Sequence, residues 1–203
     1  MSEKARLSRP QRRQAILETA SQLFSERGFR GVTTRDLASA VGVSEPVLYE
    51  HFSTKEELYS AIIESELHPE GGDCHQWLRD ASTLPPAAYF TRLAEIIDEF
   101  YTRRPQHIRQ ILFAALEGHQ LANVCFRNNA GPLFSLVAEY IEKQIAAGVF
   151  RPVEPTVASR AFLGMVMHYC LFELHFGFQS VRAPKERALA GLVDIFLQGV
   201  QKS

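Results

Sequence analysis

The sequence predicts an all-α protein, with an N-terminal three-helix domain in front of a larger C-terminal helical body. Three observations carry this. Apolar residues recur with helical spacing almost from the start, the gaps between such runs hold glycine, proline and capping residues, and no stretch shows the two-residue alternation of a half-buried strand.

The elements follow in order. Ile16, Ala20, Leu23 and Phe24 line one helical face, and Glu26-Arg27-Gly28 ends it, with Gly28 free to take a left-handed cap. Thr33 and Asp36 have capping-box spacing before a short helix carrying Leu37, Ala38 and Val41. Gly42 stops that helix. Ser44 is placed to cap the next, whose first turn tolerates Pro46 and whose apolar residues are Val47, Leu48 and Phe52. Ser53-Thr54-Lys55-Glu56-Glu57 opens a further helix containing Leu58 and Ile62. Residues 67–86 break the pattern with His68-Pro69-Glu70-Gly71-Gly72 and Pro85-Pro86, and Trp77 is expected on a short helical turn inside this break. Beyond it, helices are predicted over 86–103, 105–118, 121–147, 155–177 and 184–201. The domains are therefore 9–69 and 70–203.

Composition sets the class. The chain has 203 residues, 46% hydrophobic and 22% charged, which suits a folded globular protein. The longest apolar stretch, near 161–172, is interrupted by Gly164 and His168, so no membrane span is implied. No apolar segment follows the basic residues of the N-terminus, which argues against a secretory signal. Cys74, Cys125 and Cys170 are scattered and odd in number, and this favours a reducing cytoplasm over a disulfide framework. The net charge is −1, but residues 1–35 hold eight Lys/Arg (Lys4, Arg6, Arg9, Arg12, Arg13, Arg27, Arg30, Arg35) against three acids (Glu3, Glu18, Glu26). That end is +5 and the remainder −6. A basic end on an acidic body points to an anionic partner at one end.

The spacing of small and apolar residues sharpens this. Counting Thr34 as first, Ala38 is fifth, Gly42 ninth and Leu48 fifteenth. A small residue is required where two helices cross closely, glycine where the turn needs positive φ, and an apolar residue to lock the second helix on the first. This is a helix-turn-helix over about 33–52, whose second helix offers its N-terminal residues to a DNA groove.

GVTTRDLASAVGVSEPVLYEHFSTKEEL, with RRQAILETASQLFSERGF upstream, resembles the signature of the TetR/AcrR family of regulators. The likeness is dense over 9–65; beyond that it is one of helical layout and length. It implies an all-α homodimeric regulator, by default a repressor, that binds a palindromic operator and loses DNA affinity when a small molecule enters the C-terminal domain. Carried over residue by residue, it assigns Thr34 to a phosphate, and Ser44, Glu45, Pro46 and Val47 to the start of the recognition helix. Tyr49 and His51 are assigned to the DNA backbone, and Lys55 to a phosphate. Arg35 and the Arg9–Arg13 cluster are further phosphate candidates. Glu45 and Glu50 depart from a DNA-facing composition. Glu45 either accepts from cytosine N4 or faces away, and Pro46 and Val47 offer only methyl or shape contacts. Phe52 is expected in the core.

In the body, Leu189, Leu192, Val193, Phe196, Leu197 and Val200 form one stripe, and the preceding helix is apolar nearly all round with small Ala161 and Gly164. These residues are the expected dimer interface, as a four-helix pairing of two-fold symmetry. Eleven of the fourteen phenylalanines lie beyond residue 70. An effector pocket is expected among Phe100, Phe113, Phe126, Phe134, Tyr140, Phe162, Met165, His168 and Phe172, with polar groups at His119, Asn123, Cys170, Glu173 and His175. The effector is then small and partly apolar. No Glu-x-x-His or His-Glu-x-x-His motif is present, and no nucleophile has a neighbouring base, so neither a metal, a cofactor nor an enzyme is expected. The competing reading is a ligand-independent regulator or architectural DNA binder.

Overall fold

The computed structural model describes residues 8–67, 74–174, 176–177 and 183–202, and helices dominate them. In chain order they are α1 (Arg9–Arg27), α2 (Thr34–Val41), α3 (Glu45–Tyr49), α4 (Lys55–Leu67), α5 (Cys74–Asp80), α6 (Pro86–Arg103), α7 (Pro105–Leu116), α8 (Gln120–Cys125), α9 (Gly131–Ala146), α10 (Pro155–Leu174) and α11 (Lys185–Val200). A 3-10 turn follows α5 at Ala81–Thr83, and a π-helical turn follows α8 at Phe126–Ala130. The expected break at His68–Gly72, the expected boundary at 69/70 and His175 lie outside the described residues.

The chain divides into two compact units, and their make-up differs from the predicted domains. One unit is α1–α4 with α7 and α8; the other is α5, α6 and α9–α11. Residues 106–125 therefore pack with the N-terminal helices. Periodicity finds such helices but cannot say which core they join.

In the first unit side-chain caps explain the starts of α1 and α2, and the second of them is the capping box that the sequence predicts. Ser8 and Gln11 cap α1 reciprocally, with Ser8 N–H donating to Gln11 Oε1 at 2.9 Å. Thr33 and Asp36 do the same for α2, Thr33 N–H donating to Asp36 Oδ2 at 2.9 Å. That bonding, the Thr33 hydroxyl first, holds the Asp36 carboxyl below its ordinary range. Gly42 turns the chain at φ 76°, ψ 37°, the left-handed conformation its position demands. Gly28 also has positive φ, 71°, but its ψ of 175° takes the chain into extended backbone rather than a left-handed cap. A Cβ at Gly28 would lie 2.5 Å from Glu117 Oε1 and 2.9 Å from the Phe113 ring, so space as well as φ excludes a side chain. Ser44 occupies the N-cap of α3 but makes no side-chain capping bond, contrary to expectation. Ile16, Ala20, Phe24, Leu37, Ala38, Leu48, Phe52, Leu58 and Tyr59 form the core, joined by Ala114 from α7.

Polar pins fasten α7 into this unit. Gln110, fully buried, donates from Nε2 to Ser21 O at 2.8 Å and to Ser21 Oγ at 2.9 Å. The Tyr59 hydroxyl donates to Gln110 O at 3.1 Å. Beyond the helix end, Arg30 donates from Nη2 to Glu117 O at 3.0 Å, and its backbone N–H to Glu117 Oε1 at 3.3 Å.

In the second unit α10 packs on α6, α9 and α11, and α11 packs on α6. Phe90, Phe162, Phe196, Tyr89 and Tyr140 interlock ring to ring; Tyr140 lies flat on Tyr89, centroids 3.7 Å apart and planes 2° apart. Trp77, on α5 as expected, also stacks on Tyr89, centroids 5.7 Å apart. The run predicted as one helix over 121–147 is interrupted at 126–130. Gly131-Pro132 is the cause: Pro132 has no N–H to continue the ladder and its ring crowds the preceding turn, so α9 starts afresh with proline in its first turn. The chain end is tied back by Arg151 N–H to Val200 O at 2.9 Å and Lys202 N–H to Val149 O at 3.2 Å. Helix α10 is long and apolar enough to cross a membrane by length and hydropathy alone. Its Phe162, Leu163, Val166 and Cys170 are instead buried in the core of this unit.

Candidate nucleic-acid interface

The candidate interface is the surface offered by α2 and α3. Ala38 and Leu48 are buried where the two helices meet, each 3% exposed, and the left-handed Gly42 sets the turn between them. Val43 N–H closes the turn on Ala38 O at 3.0 Å. Leu48 and Phe52 face inward, which leaves the opposite side of α3 to solvent: Ser44, Pro46, Tyr49 and Glu50 are exposed, while Glu45, Val47 and His51 are half-buried. Tyr49 is 45% exposed, too open for a core aromatic.

Thr34 and Glu45, both expected at the interface, bond to each other. The Thr34 hydroxyl donates to Glu45 Oε2 at 3.2 Å, tying the first turn of α2 to the first turn of α3. Arg35, next to Thr34, is exposed. Of the upstream basic residues, Arg13 lies over the Phe52 ring at 4.7 Å and Arg9 Nη2 reaches Glu50 O at 3.5 Å. Lys55 is the residue whose placement changes its meaning most. Its ammonium donates to Phe29 O and Val32 O, both at 2.9 Å, and sits 4.0 Å from the centroid of the Phe29 ring. Two of its three N–H groups thus clamp the link between α1 and α2, and only one is left for a phosphate.

Helix-turn-helix geometry is shared by many DNA binders, and the whole chain decides which. Residues 16–62 match the profile of bacterial regulatory proteins of the tetR family. Residues 91–199, more than half of the chain, match the C-terminal domain of AefR-like transcriptional repressors. The chain belongs to the TetR family of transcriptional regulators. Among its relatives is the HTH-type transcriptional repressor KstR2 of Mycobacterium tuberculosis H37Rv, 29% identical over 159 residues and 70% of each chain. The HTH-type transcriptional activator FasR of Mycolicibacterium smegmatis is 46% identical over 59 residues, 29% of this chain and 27% of that protein. The solved structure of AibR in complex with isovaleryl coenzyme A and operator DNA has a TM-score of 0.68 at 23% identity, covering 91% of this chain and 97% of that one. At that identity the likeness is one of fold.

In this TetR-family regulator the predicted effector residues are divided between the two units. Phe113 belongs to the first unit, against Gly28. Tyr140 and Phe162 are buried in the interlocked aromatic core. Phe126 stands beside Phe134, centroids 6.4 Å apart, and Arg160 covers the Phe134 ring at 5.0 Å. His168 stacks on Phe172 at 4.2 Å, and Phe172 on exposed Phe176 at 5.1 Å. Met165 is half-buried and Phe100 borders solvent. Tyr140 and Phe162 are thus packing residues of the ring cluster among the described residues. A surface pocket of about 200 Å³ does occur, lined by Leu78, Arg79, Ser82, Leu136, Glu139, Tyr140 and Lys143. Only Tyr140 among these was expected, because a pocket between α5 and α9 depends on packing that periodicity does not encode.

The predicted dimer residues also separate. Leu189, Val193, Phe196, Leu197 and Val200 are buried within their own chain, between 5% and 7% exposed. Ala161 and Gly164 are exposed, and Leu192 is half-buried. The outward face of α10 and α11 adds Val157, 64% exposed, and Ile195, 62% exposed, with Gly164, Gly191 and Gly199 opening on empty space. The signal for Val157 was present in the sequence, because a helix apolar all round needs cover on both sides; Ile195 lies off the apolar stripe of α11 and had no such signal. Cys170 is buried, and burial pushes its thiol up to about 12, which keeps it protonated and unreactive at neutral pH.

Proposed function

We propose that the chain is a transcriptional repressor that binds a palindromic operator as a homodimer and is released by a small, partly apolar effector held in its second unit. The observation that carries the DNA reading is the exposed outer side of α3, held by the Ala38–Gly42–Leu48 crossing. Ser44, Pro46 and Val47 then meet the groove, Arg35, Tyr49 and His51 the adjoining backbone, the Thr34 hydroxyl is spent on Glu45, and Lys55 acts chiefly as a clamp. The dimer reading is supported by the open apolar face of α10 and α11, where Val157, Ala161, Gly164, Leu192 and Ile195 meet their copies about a two-fold axis. Two recognition helices related in this way ask for half-sites about one DNA turn apart. Such a protein works in the cytoplasm, beside its DNA.

The test is selection of bound sequences from a random duplex library, followed by anisotropy titration across salt. Inverted repeats and steep salt dependence are expected; selection without any enriched motif would remove the reading. A second reading, a regulator blind to ligands, is favoured by the close packing of Tyr89, Phe90, Tyr140, Phe162 and Phe196. Titration of the DNA complex with acyl thioesters, aromatic compounds and lipophilic cations decides between the two. The isovaleryl coenzyme A in the AibR complex supports including the first class. Release by any of them upholds the effector reading, and release by none favours the second.

A further inference from the structure

The Thr34–Glu45 bond bears on what the reading edge recognises. We propose that Glu45 is a specificity-determining residue that selects a cytosine in each half-site and penalises DNA lacking it. This deepens the operator reading above and rests on it.

Glu45 stands in the first turn of α3, half-buried, with Pro46 and Val47 following. Neither neighbour carries a hydrogen-bonding side chain, so the carboxylate is the strongest polar group at that end. Its Oε2 accepts from the Thr34 hydroxyl at 3.2 Å, which holds the group against the start of α2. The pin leaves Oε1, and the second lone pair of Oε2, able to accept; an ionised carboxylate has nothing to donate. In the major groove only the exocyclic amino groups of cytosine and adenine donate; guanine O6 and N7 and thymine O4 are acceptors. Adenine sets its N7 acceptor beside its amino group, where an acceptor-only carboxylate meets a lone pair. Cytosine sets a C–H there. An acceptor held in place therefore favours cytosine, and the same charge is repelled by phosphates wherever no amino group compensates. The half-spent Thr34 hydroxyl agrees: a hydroxyl has one proton, and here it goes to Glu45 rather than outward.

Glu45→Gln separates charge from structure, because a glutamine oxygen still accepts from Thr34. Full-length wild type and Glu45→Gln are each taken through selection from a random duplex library, then titrated against one fixed duplex of unrelated sequence. The expected wild-type motif holds cytosine at one position per half-site. In the variant that position moves to adenine, whose N6 and N7 match a glutamine amide, with a change in preference of about tenfold. Neighbouring positions stay as they were, and affinity for the unrelated duplex rises several-fold. An unchanged motif, or a wild-type preference for adenine, guanine or thymine at the position the variant alters, overturns the inference. A wild type that enriches no motif overturns the operator reading itself, and is recognised without reference to the variant. Equal urea midpoints of the two proteins are expected; a lower midpoint for Glu45→Gln would mean that the carboxylate serves the α2–α3 contact and would overturn the assignment.

Discussion

Gln110 offers a direct measure of how α7 belongs to the DNA-binding unit. Its side chain is fully buried and makes two hydrogen bonds to Ser21, at 2.8 and 2.9 Å, across 89 residues of sequence. A net contribution of about 1 kcal/mol per buried hydrogen bond makes the pair worth about 2 kcal/mol. Against that, Gln110 Oε1 is buried without a partner, a cost of about 1–3 kcal/mol already carried by the native protein. Gln110→Leu removes both terms and roughly keeps the volume, so it is expected to change stability by less than about 1 kcal/mol. Gln110→Ala removes the bonds and leaves a cavity, for which about 2–4 kcal/mol is expected. For a chain of this size that corresponds to a fall in melting temperature of roughly 4–16 °C. Urea unfolding at fixed protein concentration, read by circular dichroism, gives both values. If alanine matched leucine to within about 0.5 kcal/mol, the packing role of this side chain would be refuted.

Ile195→Asp, on the exposed face of α11, is expected to yield folded monomers in sedimentation, while Phe196→Asp, one residue on but locked between Phe90 and Phe162, is expected to lose the fold. An Ile195→Asp dimer would move the interface elsewhere. Lys55→Met should cost about 1–3 kcal/mol through its two carbonyl bonds, yet lower the salt slope of DNA binding by less than one unit. A full unit lost at unchanged stability would make Lys55 a phosphate contact first. Asp36 has a folded pKa below its ordinary 3.8, so its contribution is present above that value and lost as pH falls through the lower folded one. Asp36→Asn should flatten this part of the acid limb; an unchanged limb in acid titration would contradict the capping role.

The first unit was legible because its rules are local. A capping box, a left-handed glycine and an apolar lock are each decided within a few residues, and Thr33–Asp36, Gly42 and Leu48 took the places their spacing required. Ser44 and Gly28 depart from their expected cap geometry locally, whereas two other placements share a long-range cause. Lys55 meets the carbonyls of Phe29 and Val32, 26 and 23 residues away, and Gln110 meets Ser21 at 89. Such partners depend on how helices assemble, and a helical period does not contain that information. The stripe on α11 depends on assembly in the same way. Periodicity says that Leu189, Val193, Phe196 and Val200 are covered, but not by which chain, and their own α6 and α10 already cover them.

The aromatic cluster of the second unit constrains how an effector could act there. Tyr89 and Tyr140 lie in contact with their planes parallel, and Phe90, Phe162 and Phe196 close the rest of the cluster. To admit a ligand of about 300 Å³ within this cluster, at the small end of common binding pockets, these rings must part. Opening that volume costs about 7 kcal/mol at roughly 24 cal/mol per Å³. The open form is then populated about one part in 10⁵, and the apparent affinity is weaker than the intrinsic affinity by the same factor. An effector with an observed Kd of 1 μM needs an intrinsic Kd of about 10 pM for the open form. Few small apolar molecules reach that by burial alone. Either the effector enters through a less densely packed part of the unit, such as the pocket between α5 and α9, or it brings polar groups that the open form satisfies. In the second case the effector stabilises an arrangement that the free protein scarcely visits, and a difference of that kind between two states is what coupling to DNA release requires.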